Sequence, residues 1–203
     1  MEGIFYLWIL WGVWIFSTFL MRKGRVRFWI SFFSLILIAS FPFELEIGHY
    51  RVTMPLVLIV SLTLWTIREL SLRKKLYLFI SLISTAMCLT GLKLVSIYDP
   101  VLMIVDPFIA DVVVLIIMGF LFYGDAASRN VRYASALLGG ALGQVFIGVI
   151  LTAIGFGHTI GEHKYMDAAA VSFLILLGID GLVYMNRLFN AKLQSNKGDV
   201  HHL

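Results

Sequence analysis

Residues 4–27 read IFYLWILWGVWIFSTFLMRKGRVR, an apolar run closed by a basic turn, and that pairing decides the fold. The run Ile4–Met21 approaches the roughly 20 residues that a helix needs to cross a bilayer core. Arg22, Lys23, Arg25 and Arg27 then follow within six positions. Working outward, six further apolar runs succeed it: Phe28–Phe43, Val52–Ile67, Leu76–Tyr98, Pro107–Tyr123, Tyr133–Phe156 and Met166–Met185. Each is long enough, or nearly so, to span as a helix. Composition agrees, with 60% hydrophobic residues, 14% charged residues and a mean hydropathy of +0.92. These values lie far from soluble composition.

The predicted architecture is all-α, a polytopic bundle of seven transmembrane helices. Residues 1–189 form one transmembrane domain and 190–203 a short polar cytoplasmic tail. Orientation follows from the short loops. Counting alternate connections and the tail, thirteen Lys and Arg residues fall on one side and two, Arg51 and Lys164, on the other, with Lys93 left inside a span. The positive-inside rule makes the side with thirteen cytoplasmic, so the N-terminus lies outside. The cell membrane is the expected location. The net charge of +4 is thereby absorbed by topology and does not call for nucleic acid. The first run lacks a basic region before it and is expected to be retained rather than cleaved. Cys88 is solitary inside a run, which excludes an internal disulfide framework.

Two places are irregular. Phe28–Phe43 is short and ends at Pro42 before Glu44 and Glu46. Asp-Pro occurs at 99–100 and again at 106–107, which disfavours helix at each aspartate. A surface loop is expected there, with a short re-entrant piece as the alternative. Trp8, Trp11 and Trp14 share a broad face, expected to meet lipid. Gly139 and Gly143, with Ala136 and Gly140, give the sixth helix a small-residue face that permits close approach. Ala168, Ala169, Ala170, Gly178 and Gly181 make the seventh helix its expected partner. A homo-oligomer contact through the same face is the alternative.

Ionisable groups inside spans are the default functional candidates, because desolvating them is costly. Lys93 and Asp111 sit on consecutive antiparallel helices, each about 6–8 Å below the outer boundary at 1.5 Å per residue. A structural ion pair between them is the leading expectation. Independent snorkelling of Lys93 and a substrate or proton site are the others. Asp180 lies deep in the last helix and needs a donor or cation nearby to stay charged. Gln144 and Asn186 are the polar groups considered for it. A hydrogen-bonded structural carboxylate is favoured over a coupling residue. His158, Glu162, His163 and Asp167 are expected in the solvated outer rim. A metal site at the first three is the lesser reading, since no His-Glu-x-x-His run exists. No cofactor motif is present: Gly139-Gly140-Ala141-Leu142-Gly143 lacks the strand-turn-helix setting of a dinucleotide site.

The opening Met1-Glu2-Gly3-Ile4-Phe5-Tyr6-Leu7-Trp8, the turn Arg22-Lys23-Gly24-Arg25, and the segments Gly139-Gly140-Ala141 and Asp180-Gly181 carry a resemblance. Over most of its length the chain resembles the YphA-type family of small integral membrane proteins from spore-forming Gram-positive bacteria. That resemblance implies the cytoplasmic or forespore membrane and a role in spore-envelope assembly. It brings no catalytic residues with it. The residues themselves favour a non-enzymatic envelope component working with the bilayer and a membrane-protein partner or a second copy. The competing class is a small-solute or ion transporter using Lys93, Asp111, Gln144 and Asp180.

Overall fold

The computed structural model describes residues 2–122 and 129–199. Tyr123, the expected end of the fifth run, and the last four residues of the expected tail lie outside the described residues. Among the described residues seven α-helices are formed: α1 Ile4–Ile15, α2 Arg25–Ser40, α3 Met54–Ile67, α4 Leu72–Tyr98, α5 Pro107–Phe122, α6 Arg129–Ala153 and α7 His163–Asp199. Each overlaps an apolar run of the sequence, although α7 continues through the expected polar tail as far as Asp199. By length and composition, three are long and apolar enough to cross a membrane: Leu72–Tyr98, Arg129–Ala153 and His163–Asn190. Shorter apolar helices occupy Ile4–Leu20, Met54–Ile67 and Pro107–Phe122. The outer surface is itself apolar, with Trp8 75% exposed and Phe19 74% exposed.

A wholly helical fold is not what forms. The connection between α2 and α3 is a hairpin, β1 Glu44–Ile47 against β2 Tyr50–Thr53, with Glu44 opposite Thr53 and Ile47 opposite Tyr50. Glu44-Leu45-Glu46-Ile47 alternates as a strand should, and the two-residue turn opens with Gly48 at φ 63°. A glycine at the first central position suits the mirror-image turns that join twisted strands. A third strand, β3 Thr159–Ile160, adds to β2 in parallel. This small sheet marks one end of the bundle, here the sheet end. The strands also shorten α3, which starts at Met54 rather than at Val52.

The helix starts have local causes. Asp106 accepts the Phe108 N–H through Oδ1 at 2.8 Å, and Pro107 occupies the first helical position of α5, where no N–H is needed. Between Asp99 and Asp106 the chain makes one 3-10 turn, Pro100–Leu102, with Ile104 96% exposed. The N-terminus of α1 has no cap of its own. Asp167 of α7 supplies it, accepting the Gly3 and Tyr6 N–H groups at 2.8 Å each. Past Ile15, α1 widens into a π-helical turn, Phe16–Leu20, where the Ser17 and Ser31 hydroxyls meet at 2.8 Å and tie it to α2.

The centre of the bundle is α6, and its small-residue face is filled by α4 rather than by α7. A Cβ on Gly139 would lie 2.8 Å from Thr85 Cβ, and one on Gly143 would lie 3.3 Å from the Ala86 carbonyl oxygen. Hydroxyls reinforce the seam: Ser81 and Ser135 meet at 2.5 Å, and Thr90 donates to the Gly143 carbonyl at 3.3 Å. Gly178 and Gly181, expected to face α6, have nothing within 4 Å of a Cβ position. From α7 the contribution to this face is Tyr165, whose hydroxyl packs on Gly140. Alternative partners for one glycine face are decided by the neighbour's shape, and α4 offers Thr85 and Ala86 at matching height.

Gly139→Ala forces α4 and α6 apart, and overpacking of this kind costs about 1–3 kcal/mol. Gly178→Ala meets open space and is expected to be neutral or stabilising by up to about 1 kcal/mol through helix propensity. Thermal unfolding of the two variants in the same detergent checks the pair. Equal losses would place the tight contact elsewhere.

Candidate functional site

The buried polar groups gather into two clusters at opposite ends of the bundle. At the sheet end, Lys93 projects from the last third of α4 and donates to Glu162 Oε2 at 3.3 Å. The opposite oxygen, Glu162 Oε1, lies 3.4 Å from His158 Nδ1. Glu162 therefore bridges the two from the connection that carries β3. The ion pair of Lys93 is with this loop carboxylate and not with Asp111, as its position on α4 suggested. Consecutive helices do bring Lys93 and Asp111 to one depth. Both line a small cavity, with Thr90, Gln144 and Tyr165, close enough for their charges to interact. The glutamate folding over from outside takes the direct contact.

That cavity measures about 10 Å³ in water-sized space, room for roughly one water molecule. Gln144 Oε1 and His158 Nε2 are both buried without a hydrogen-bond partner among the described residues. The His158 side chain is only 6% exposed, so it does not belong to a solvated rim. His163 goes elsewhere, packing edge-on to Phe41 with ring centroids 4.4 Å apart. Asp167, also expected at the rim, is 5% exposed and spent on the α1 cap. What drew these residues inward is the sheet, which folds the 154–162 connection back over α6.

At the basic end, Asp180 of α7 accepts from the Arg132 guanidinium and from the Tyr133 hydroxyl. The Arg132 side chain is 2% exposed, its guanidinium lying 4.6 Å from the Phe120 ring centroid. Its stem passes Gly119, where a Cβ would sit 3.3 Å from Arg132 Cγ. The donors considered from sequence, Gln144 and Asn186, are not the ones used. Gln144 lies twelve residues up α6 from Arg132, about 18 Å away along the axis, in the other cluster. Arg132 counted as a loop cation because the apolar run begins at Tyr133. Its position one turn into α6, with an aspartate facing it from α7, is visible only once the helix bounds are known.

Between the clusters the α4-facing side of α6 is buried, while a further opening of about 220 Å³ runs along its other flank from Asn130 and Tyr133 to Leu137. Ser135, Leu138 and Gly139 are buried there, and no described cavity touches both Asp180 and the Lys93 group. A separate groove of about 260 Å³ is lined by Tyr6, Leu10, Ile59, Met166, Ala170 and Phe173 among others. It lies where α1, packed on α2 and α7, leaves a gap beside α3, packed on α6. Its lining is apolar apart from Tyr6 and Thr63. None of these arrangements pairs a nucleophile with a base.

Burial holds His158 below the ordinary histidine range, and the Lys93 charge adds to this, while Glu162 opposes it. Its folded pKa thus lies below its unfolded value of about 6.5. The unfolded chain takes up the proton first, so stability falls as pH drops through that window. His158→Asn retains a donor near Glu162 without the titration. The melting temperature of the wild type is expected to fall more between pH 7.5 and 5.5 than that of the variant. Parallel profiles would remove His158 from the cause.

The family model for YphA-like integral membrane protein matches residues 2–202. The uncharacterized protein YphA of Bacillus subtilis (strain 168) is 22% identical over 201 residues, covering 98% of each chain. No solved structure matches. With a match from end to end of the described bundle, the chain belongs to the YphA-like integral membrane protein family.

Proposed function

We propose that this protein crosses the cell membrane seven times, with its N-terminus outside and residues 190–203 cytoplasmic. Within that membrane it is a non-enzymatic component of envelope assembly, in a spore former of the spore envelope, that organises a membrane partner. The topology is supported by helices near whose ends the basic residues alternate sides along the chain. The sheet end then faces out and the basic end faces the cytoplasm. Helices shorter than the hydrocarbon core are accommodated by local thinning of the bilayer and by flanking cations.

One observation carries the assembly reading. The charged groups a transporter would use are locked in two separate clusters, while a groove of about 260 Å³ on the side of the bundle is almost wholly apolar. A conduction path needs polar lining from end to end. A partner needs an apolar seat, and the groove between α1 and α3 is one. The transporter reading keeps a single supporting feature, the small cavity where Lys93, Asp111 and an unpartnered Gln144 oxygen meet.

Two measurements separate these. Reporters after Phe189 and near Asp99 are expected on opposite sides, cytoplasmic and external respectively, and finding them together would contradict seven spans. Proteoliposomes carrying the purified protein are expected to show no substrate-specific or proton flux. Flux that is present in the wild type and lost in a folded Asp180→Asn variant would establish transport instead.

A further inference from the structure

Four cations crowd residues 22–27, yet from Gly3 to Phe43 the sequence contains no acidic residue. Two of those cations line a cavity. Lys23, Gly24, Arg27, Phe28 and Ser31 from the start of α2 face Trp14 and Thr18 from the end of α1 across a space of about 330 Å³. That is the size of a small-molecule pocket. The π-helical turn creates it by swinging Thr18 toward Ser31, 3.3 Å away, so that hydroxyls and cations line one space. Among the described residues neither Lys23 nor Arg27 forms an ion pair or a hydrogen bond, although Arg27 is half-buried. At the other basic turn Arg73 and Lys74 likewise have no ion pair or hydrogen bond among the described residues, but they line none of the described cavities. There Arg68 pairs with Glu69 at 3.5 Å and stacks on Trp65, and Lys75 donates to the Arg68 carbonyl at 2.8 Å.

Topology alone asks for cations near the membrane surface, not for an unneutralised pair set in a cleft between two helices. We propose that the α1–α2 cleft binds the phosphodiester headgroup of an anionic phospholipid. Lys23 and Arg27 supply the charge, and the Thr18 hydroxyl donates to a phosphate oxygen, the Ser31 proton being held by Ser17. Trp14 and Phe28 stand beside the glycerol and upper acyl chain, where aromatic rings are favoured. Basic pockets between helices on the cytoplasmic side are suited to such headgroups. The assignment rests on the reading that puts residues 22–27 at the cytoplasmic membrane surface.

The test uses full-length protein in detergent micelles, where lipid binding does not depend on orientation. Added phosphatidylglycerol and phosphatidylcholine are compared by native mass spectrometry and by tryptophan fluorescence. The wild type is expected to prefer phosphatidylglycerol at least tenfold. Lys23→Gln with Arg27→Gln is expected to weaken that preference about fivefold per cation removed. Arg73→Gln with Lys74→Gln, the same charge change at the other turn, is expected to leave it within twofold. Arg27→Lys keeps the charge and most of the binding, which guards against a folding defect. Equal losses in the two double variants would overturn the site, as would absence of headgroup preference. Competition by millimolar inorganic phosphate would overturn the lipid assignment in favour of free phosphate. A reporter near Gly24 found outside would instead refute the topology and leave the binding result standing.

Discussion

Lipid is as apolar as leucine, so burying apolar surface does little to hold one helix of this bundle against another. Every other feature of the structure answers to that constraint. Attraction has to come from close packing and from polar groups that find partners inside the protein. The α4–α6 seam does both. Gly139 and Gly143 remove side chains where Thr85 and Ala86 approach, and the Ser81–Ser135 and Thr90–Gly143 hydrogen bonds run along the same line. With α6 fixed against α4, its flanks are presented to α3, α5 and α7.

The charged groups then act as fasteners at the two ends of this pillar. Asp180 pins α7 to α6 through Arg132 and Tyr133. Glu162 draws the β3 connection down onto α4 through Lys93. Asp167 ties α7 to the start of α1, satisfying two N–H groups that a helix end leaves without partners. Each contact joins elements distant in sequence, and each gives a charged group the partners it would lack in hydrocarbon. The groove beside α3 and the basic cleft at the foot of α1 are among the openings left for other molecules.

Much of this was legible in the chain. Helix positions followed from the apolar runs because hydropathy over a whole segment is a strong signal, and Lys93, Asp111, Gln144 and Asp180 stood out as ionisable or amide groups inside runs. Their partners did not. Which residue meets Lys93 depends on how the 154–162 connection folds, and that in turn depends on a parallel pairing of Thr159 and Ile160 with Arg51 and Val52. Two residues carry too little pattern to announce a strand. The hairpin itself was readable in Glu44–Thr53, where alternation and Gly48 coincide, but its residues adjoined apolar runs and were absorbed into loop and span. Arg132 was hidden for a related reason: a cation at the edge of a run reads as loop until the helix start is known.

The central claim is that Arg132 and Asp180 are held as one neutral unit that fastens α6 to α7. A double-mutant cycle with Arg132→Met and Asp180→Leu, read by denaturant unfolding in micelles, tests it most directly. Each single change leaves a buried charge without its partner and is expected to cost about 3–5 kcal/mol. The double change removes both charges, so its cost is expected to fall well below the sum, with a coupling of about 2 kcal/mol or more. Additive losses would contradict the account, since they would mean that the two side chains act on stability independently.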